Sequence, residues 1–267
     1  MNNTINIPKK IHYCWFGGNP LPEIAIQCLA SWKKFCPDYE IVQWDESNVD
    51  LFSCMFLKQA YNAKKWAFVS DYVRLKIIYE NGGVYLDTDV ELLSSLDPFL
   101  SNEGFMGFEH DKLYFVNTGL GFGAIPKNPL IRLLMNNYEN TNFVKNDGTL
   151  DTTPCPQRDT EVLKKLGLIQ NNEIQIISGI TIYPSDYFCP ISFTGKKNFS
   201  RNTISIHHYN ASWHTELEKN NIKRSNKLKK TFGENLGSII NNFFLVKDTI
   251  KNHGLKYLAK KIINKLR

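Results

Sequence analysis

The first part of the chain alternates between strand-like apolar runs and helix-like spacings. Residues 10–16 are an apolar and aromatic run that ends at two glycines, which is typical of a buried strand followed by a tight turn. Residues 23–35 place apolar side chains three or four positions apart, which predicts a helix, and residues 39–44 return to strand composition. This order of elements predicts a βαβ unit with parallel strands.

The most regular helical pattern covers residues 63–80. Its apolar side chains recur at three- and four-residue steps, and the Asn-Gly-Gly sequence at 81–83 supplies a C-terminal stop signal. The sequence VYLDTDVEL follows directly as an apolar strand that runs into Asp87 and Asp89. Because open α/β sheets bind ligands beyond the C-terminal ends of their strands, the acidic pair lies where a ligand site is expected.

The remainder up to about residue 215 predicts short strands, turns and helices. Strands are expected at 105–108, 114–116, 174–182 and 203–207, helices at 130–138 and 159–166, turns at 119–123 and a polar loop at 141–158. We therefore predict an α/β fold with a mixed central sheet in one domain over residues 1–215.

Residues 216–267 form a tail of different composition. From Lys219 onward the chain holds 13 lysines and arginines against two acids, whereas the formal net charge of the whole chain is +6. Apolar positions from Leu236 onward mark one helical face with lysines opposite, and Gly254 is expected to interrupt the helix. This pattern predicts a basic amphipathic helical tail that makes peripheral contact with an acidic membrane surface. Packing on the first domain, or on a second subunit of a homo-oligomer, is the alternative.

Composition limits the class of protein and its location. A chain with 42% hydrophobic and 22% charged residues is ordinarily globular. The six cysteines show no CxxC spacing, and no run approaches the roughly 18 apolar residues of a membrane span. No nucleic-acid-binding motif is visible, so nucleic acid is not an expected partner. The expected location is cytoplasmic, peripheral on the inner face of the plasma membrane.

The acidic triplet is the first candidate for chemistry. Two carboxylates two residues apart line the same face of a regular strand, so both can approach one divalent cation where the strand ends. A lone DxD triplet is common in solvated turns, so the surrounding residues decide. Here the run SDYVRLKIIYENGGVYLDTDVEL at 70–92 follows the opening IPKKIHYCWFGG. This ordered set resembles the DXD-containing glycosyltransferase family 32, which includes bacterial capsule and O-antigen sugar transferases and yeast outer-chain mannosyltransferases, and it is distantly similar to the clostridial glucosylating toxins.

The resemblance implies a GT-A-like, single Rossmann-type catalytic domain with Mn²⁺ or Mg²⁺ as cofactor. Residue by residue, it places Trp15 on the nucleotide base, Asp71 and Arg74 on donor-sugar hydroxyls, Tyr85 near the nucleotide, and Asp87 and Asp89 on the metal. Asp71, Arg74, Asp87 and Asp89 are thereby the candidate catalytic residues, and Asp87 also counts among the nucleotide-sugar contacts. From the residues alone, core packing of Trp15 and a solvated i,i+3 ion pair between Asp71 and Arg74 remain open.

The segment IHHYNASWH at 206–214 is the second candidate element. In related transferases such a segment supplies a late metal or phosphate contact, which makes Ser212 and Trp213 nucleotide-sugar candidates and a histidine the third metal ligand. His207 and His208 face opposite sides of a strand, so only one of them is expected to bind the ion, and we predict His208.

Two further nucleotide-sugar candidates are Asn117 and Asp159. Both match positions where the family builds its sugar and acceptor pocket. The chain departs from the family nearby, because family members often show a Gly-Pro step where Thr153 and Pro154 stand here.

The resemblance implies a retaining, metal-dependent hexosyltransferase. It would move glucose, galactose or an N-acetyl form from a UDP-sugar to a saccharide acceptor, expected to be lipid-linked, in capsule or O-antigen polysaccharide biosynthesis. A GDP-mannose-dependent mannosyltransferase is the alternative within the family. Two readings come from other classes: a non-catalytic sugar-binding protein, and a haloacid-dehalogenase-type phosphatase, in whose motif Glu91 would stand where Thr or Val is usual.

Overall fold

The chain divides into two compact units, Met1–Asn210 and Ala211–Arg267. The computed structural model describes residues 7–110, 112–210 and 216–266. The domain boundary expected from the sequence at residue 215 falls at the edge of the stretch 211–215, which lies outside the described residues.

The first unit is built from short strands and six helices in its described residues. Its strands are β1 Lys10–Cys14, β2 Glu40–Trp44, β3 Gly83–Tyr85, β4 Val90–Leu92, β5 Gly104–Gly107, β6 Phe122–Ala124, β7 Gln175–Ile177, β8 Ile180–Tyr183 and β9 Ser205–His207. Its helices are α1 Glu23–Phe35, α2 Met55–Asn62, α3 Trp66–Asn81, α4 Pro129–Glu139, α5 Cys155–Lys165 and α6 Ser185–Phe188.

Seven strands form the central sheet in the order β2-β1-β3-β6-β5-β8-β7. Strand β1 is parallel to both β2 and β3, as the βαβ pattern predicts, whereas β6 is antiparallel to its neighbours β3 and β5. The expected α/β class with a mixed central sheet is therefore confirmed. Strands β4 and β9 pair in a separate two-stranded antiparallel sheet, which joins the residues after the acidic triplet to the end of the unit.

The sheet lies between two hydrophobic clusters. One contains buried residues of α2, α3 and α4, and the other contains α1 and the segment around Phe99. Successive strand residues point to opposite clusters: Val84 belongs to the second cluster, and Tyr85 to the first. This alternation turns the Tyr85 side chain toward helix α3.

The double glycine after α3 allows a very tight passage into β3. Gly82 and Gly83 both have positive φ, +65° and +96°. A Cβ on Gly83 would lie 2.9 Å from His12 Nε2, and one on Gly82 would lie 2.7 Å from Pro126 Cδ. Residues with side chains would clash here in an unfavourable backbone conformation, so the two glycines fix where α3 ends and the strand begins.

Several expected element boundaries are wrong. Helix α2 has no counterpart among the sequence predictions, and the expected turn region 119–123 leads into β6. The expected strand 174–182 is the hairpin of β7 and β8, which turns at Ser178 and Gly179, both with positive φ. Of the expected strand 114–116, only Val116 forms a bridge, to Phe108.

The second unit is a pair of helices, α7 Glu216–Phe232 and α8 Glu234–Leu266. Gly233 joins them with φ of 79°. A Cβ on Gly237 would lie 2.6 Å from the Lys229 Cα, so the two backbones touch at this glycine. Gly254 has non-helical angles (φ 79°, ψ 167°) where the sequence predicts an interruption. Within the described ranges, no helix combines the length and the apolar character needed to cross a bilayer.

Candidate functional site

Asp87 and Asp89 lie in the turn between β3 and β4, at the C-terminal end of a central strand. The Leu86 N–H still bonds to the His12 carbonyl at 3.0 Å, and the Val90 N–H then bonds to the Asp87 carbonyl at 3.0 Å, which closes the turn. One ligand atom from each of Asp87, Asp89 and His207 lies within 4.8 Å of the others. The turn thus brings both carboxylates and one imidazole to a common point.

The histidine of this group is His207, and not the predicted His208. Antiparallel pairing of β4 with β9 sets Val90 opposite His207 and Glu91 opposite Ile206. His207 is buried with its Nε2 atom 3.3 Å from Asp89 Oδ1, whereas His208 is exposed with its Nε2 atom 2.9 Å from Glu91 Oε2. The prediction failed because side chains alternate along a strand and the register between β4 and β9 selects the first histidine.

The Asp89 carboxylate is held from the far end of the unit. The Asn210 N–H donates to Asp89 Oδ2 at 2.8 Å, and the His208 N–H donates to the Asp89 carbonyl at 2.9 Å. Burial alone would raise the pKa of Asp89, but the attraction and hydrogen bond of His207, with the Asn210 N–H, bring it below its usual value. Asp89 therefore stays anionic.

The pKa of Asp87 is shifted in the opposite direction to that of Asp89. Burial raises the pKa of this carboxyl; Arg74 opposes the rise, and the nearby charge of Asp89 adds to it. The Tyr85 hydroxyl donates to Asp87 Oδ1 at 3.0 Å. Two close carboxylates in a buried setting favour a bound cation, because a positive charge between them removes their repulsion.

Arg74 connects helix α3 to the turn between β3 and β4 that carries Asp87 and Asp89, called here the acidic turn. Its Nη2 atom lies 2.9 Å from Asp71 Oδ1 and 3.4 Å from Asp87 Oδ1, and its guanidinium stands 5.0 Å from the centre of the Tyr85 ring. Arg74 is only 3% exposed and Asp71 only 7%, so the pair is not the solvated surface pair that the spacing alone left open. Burial raises the pKa of Asp71 to about 6, although Arg74 works against the rise.

Asn117 and Gly119 form a tight loop against the acidic turn. The Gly119 N–H donates to Asn117 Oδ1 at 2.6 Å, while Asn117 Nδ2 donates to Glu109 Oε1 at 2.7 Å. A Cβ on Gly119 would collide with Asp87 Oδ2 and would lie 3.0 Å from Arg74 Nη1. A residue without a side chain is needed here for the loop to approach both groups.

Helix α5 brings Asp159 to the same loop. Its Oδ2 atom accepts a bond from the Thr118 hydroxyl at 3.1 Å, whereas its Oδ1 atom is buried without a hydrogen-bond partner among the described residues. Burial, with the nearby charge of Asp71, raises the pKa of Asp159 to about 7. Cys155, at the start of α5, places its sulfur 3.9 Å from Arg74 Nη1 and 3.8 Å from Asn117 Oδ1. Sequence reasoning missed Cys155, whose only signal is its position in the TTPCPQRDT segment.

Trp15 lies in the turn after β1, packed partly against the hydrophobic core, with its Nε1 atom bonded to the Asn19 carbonyl at 2.6 Å. Next to this turn is a cavity of about 570 Å³, lined by Gly17, Gly18, Asn19, Glu46, Tyr61, Lys64 and Trp66. The Gly17 N–H donates to Glu46 Oε1 at 2.7 Å, and a Cβ on Gly17 would lie 2.8 Å from Trp66 Nε1. The predicted residues Ser212 and Trp213 lie outside the described residues.

Part of the chain matches a known protein family. Residues 22–106 match the family described as glycosyltransferase sugar-binding region containing DXD motif. The DXD region therefore contains α3 and the acidic turn, and the resemblance drawn from their motifs is confirmed.

Part of the chain is also similar to two proteins of Schizosaccharomyces pombe. Inositol phosphoceramide mannosyltransferase 3 is 36% identical over 107 residues, which are 37% of this chain and 29% of that protein. Inositol phosphoceramide mannosyltransferase 1 is 28% identical over 147 residues, which are 51% of this chain and 44% of that protein. The chain thus spans less than half the length of these curated relatives.

Among solved structures, the PaToxG glycosyltransferase is 20% identical and aligns over 60% of this chain and 69% of its own, with a TM-score of 0.45. A likeness at this level carries no argument about the present fold, which rests on the sheet order and the DXD turn themselves.

Proposed function

We propose that this protein is a metal-dependent glycosyltransferase that moves a hexosyl group from a nucleotide sugar to a saccharide acceptor with retention of the anomeric configuration. The observation that carries the proposal is an unbroken set of contacts in the DXD region. Asp71 contacts Arg74, Arg74 contacts Asp87, and the oxygens of Asp87 and Asp89 lie within reach of one ion. Groups suited to sugar hydroxyls and groups suited to a cation thus share one site.

The ligand set fits Mn²⁺ or Mg²⁺. Asp87, Asp89 and His207 would hold the ion through two carboxylates and one imidazole, which suits Mn²⁺ best. When bound, such an ion would neutralise charge on the diphosphate leaving group.

The proposed transfer uses few protein groups. The bond between the anomeric carbon and the phosphate oxygen breaks, the acceptor oxygen bonds to the same face of that carbon, and the acceptor proton passes to the departing phosphate. Arg74 would place fixed positive charge beside the developing negative charge, and Asp71 would accept a bond from a sugar hydroxyl. No dedicated general base is required, and Asp159, which is bonded to the Thr118 hydroxyl, would shape the pocket.

Helix α3 supports a particular placement of the donor. Trp66, Ser70 and Arg74 follow one another at four-residue steps, and therefore along one helical face. Arg74 Nη2 donates to Ser70 Oγ at 3.2 Å, and Trp66 borders the cavity beside Gly17. Eight residues of helix correspond to about 12 Å, a length comparable with an extended nucleoside diphosphate. We therefore infer that the base occupies the cavity near Trp15 and Trp66, with the sugar at Arg74.

The donor base is proposed to be uracil, and the sugar glucose, galactose or an N-acetyl form. Support comes from Trp15 and Tyr85, which match the resemblance to UDP-sugar-using toxins. GDP-mannose is the second candidate, favoured by the names of the two S. pombe relatives. The acceptor is proposed to be a lipid-linked saccharide in capsule or O-antigen biosynthesis.

Calorimetric titration with a panel of UDP-sugars and GDP-mannose tests the proposal, each with Mn²⁺ and after EDTA. We expect metal-dependent binding and slow release of the matching nucleoside diphosphate from one donor. Binding without turnover, with any saccharide acceptor, would favour the sugar-binding alternative. Metal-dependent hydrolysis of an aryl phosphate, with no nucleotide-sugar binding, would favour the phosphatase alternative.

A further inference from the structure

The second unit carries an exposed apolar seam along α8. Leu236, Ile239, Phe243 and Val246 are 50%, 66%, 70% and 44% exposed. Their spacing alternates between three and four residues, and Ile250 continues it, so the five side chains lie in one line along the helix. Large apolar side chains in such a line are unusual on a free surface and mark a place of contact.

The seam is not the face that packs against α7. Arg224 of α7 reaches a different set of α8 residues: its Nη2 atom lies 2.9 Å from Asp248 Oδ2, its Nε atom 3.5 Å from Asn241 Oδ1, and its guanidinium 5.0 Å from the Phe244 ring centre. Among the described side chains, Arg224 therefore contacts the neighbouring face of α8, and the four apolar side chains of the seam remain 44% to 70% exposed.

A cavity of about 410 Å³ opens on the seam, between Phe243, Val246, Lys247, Ile250 and Lys251. The two lysines border an otherwise apolar groove. Long basic side chains of this kind lay their carbon stems along apolar surface and keep the ammonium group at its rim. The groove thus offers an apolar floor and a cationic edge.

Charge decides which partner fits this surface. From Lys219 onward the sequence contains 13 basic residues and two acidic residues, and one of these acids, Asp248, already pairs with Arg224. A second copy of the chain docked in parallel, seam to seam, would bring Lys247 and Lys251 against their own equivalents, and docking in either direction would set one strongly basic unit against another, which adds like-charge repulsion. An anionic lipid surface offers phosphate groups to the lysines and an apolar boundary to the seam.

We propose that the α8 seam, Leu236 to Ile250, binds the surface of a membrane rich in anionic phospholipid. The apolar side chains enter the boundary between headgroups and acyl chains, and Lys247 and Lys251 contact lipid phosphates. This binding is separate from glycosyl transfer and does not depend on it.

Sedimentation of the full-length protein with vesicles tests the proposal. One set of vesicles contains phosphatidylglycerol and phosphatidylcholine in equal parts, and the other contains phosphatidylcholine alone. The test variants are the pair Ile239→Ser with Phe243→Ser, and the pair Lys247→Glu with Lys251→Glu. The matched control is Ile176→Ser, since Ile176 of the first unit is 71% exposed, as much as Phe243. Circular dichroism confirms that each variant keeps its helices.

We expect the wild type and the control to bind the anionic vesicles at low salt, and raised salt to weaken that binding. Each double variant should lose at least tenfold in binding. Equal binding by wild type and variants, or no wild-type binding at low salt, overturns the proposal. Light scattering adds the remaining outcome: a dimer that the Ile239 and Phe243 variants convert to monomer, without vesicle binding, would assign the seam to a second copy.

Discussion

Arg74 Nη2 lies 3.4 Å from Asp87 Oδ1, so one buried guanidinium ties helix α3 to the acidic turn of the DXD region. The same nitrogen also contacts Asp71 on its own helix. The arginine therefore orders the two halves of the site before any donor binds, and its charge offsets one buried and one partly buried carboxylate.

Replacement of Arg74 by alanine should destabilise the fold by about 3 kcal/mol, because it leaves the buried Asp71 and the partly buried Asp87 without their cation. The double variant Arg74→Ala with Asp71→Asn should lose less than the sum of the single variants, since the second change removes one of the stranded charges. Urea denaturation at neutral pH measures both. The control is Lys76→Ala on the same helix, whose partly exposed pair with Glu80 is worth about 0.5 kcal/mol. Strict additivity of the Arg74 and Asp71 effects would contradict the coupling.

His207→Ala should reduce Mn²⁺ affinity at least tenfold, whereas His208→Ala should leave it nearly unchanged. Only His207 presents its imidazole to Asp89, while His208 faces Glu91. Titration followed by electron paramagnetic resonance of free Mn²⁺ measures the difference without any donor. The adjacent histidine serves as the matched control, and equal losses for the two variants would disprove the assignment.

Trp66→Ala should weaken the binding of a nucleoside diphosphate and of its sugar conjugate by the same factor, about tenfold or more. The indole borders the cavity assigned to the base and is distant along α3 from Arg74. Asp71→Asn should instead weaken only the sugar conjugate. Calorimetry with both ligands separates the two effects, and a sugar-selective loss in Trp66→Ala would show that the base lies elsewhere.

His12 should make the protein less stable as the pH falls from about 6.5 toward 4. Trp44 Nε1 donates to His12 Nδ1 at 3.1 Å, and Nε2 lies 3.1 Å from the Gly82 carbonyl, so the neutral ring is fully bonded. Burial lowers the pKa of His12 to about 4 from 6.5. Because the unfolded chain takes up a proton first, this contribution is complete above pH 6.5 and is lost as the pH drops, by about 3 kcal/mol at pH 4.

Urea denaturation at several pH values, with wild type and His12→Gln compared, measures this contribution. The difference in unfolding free energy between the two proteins should shrink across that window as the pH falls. A constant difference would show that His12 does not titrate as described. The comparison is needed because Asp71 and Asp159, whose pKa values are raised, act in the opposite direction.

The sequence predicts structure well where a local pattern determines it. The helix expected at 23–35 is α1, and the helix expected at 63–80 is α3 with its start displaced by three residues and its end by one. Both are set by regular apolar spacing, and α3 also by the glycines that stop it. The position of the acidic triplet beyond a central strand follows from the same local signals.

The sequence does not predict the structure correctly where the contacting residues lie far apart along the chain, or where one residue type is compatible with two kinds of local structure. The side chains of the adjacent residues His207 and His208 point to opposite sides, and only the register of β9 with β4 determines which of them lies beside Asp89. The polar segment before Asp159 suggests a loop because of Pro154 and Pro156, yet proline is well tolerated in the first turn of a helix, and α5 begins there. Glu109 and Cys155 reach the site only through tertiary packing.

The pairing of β4 with β9 determines when, during synthesis of the chain, the site can be completed. Asn210 donates to Asp89 across 121 positions of sequence, and His207 comes from the same late segment. During synthesis the acidic turn leaves the ribosome long before these two residues, so it cannot gather its full ligand set until the last strand of the unit is added. Acquisition of tight metal binding would then mark the moment at which the first unit has closed.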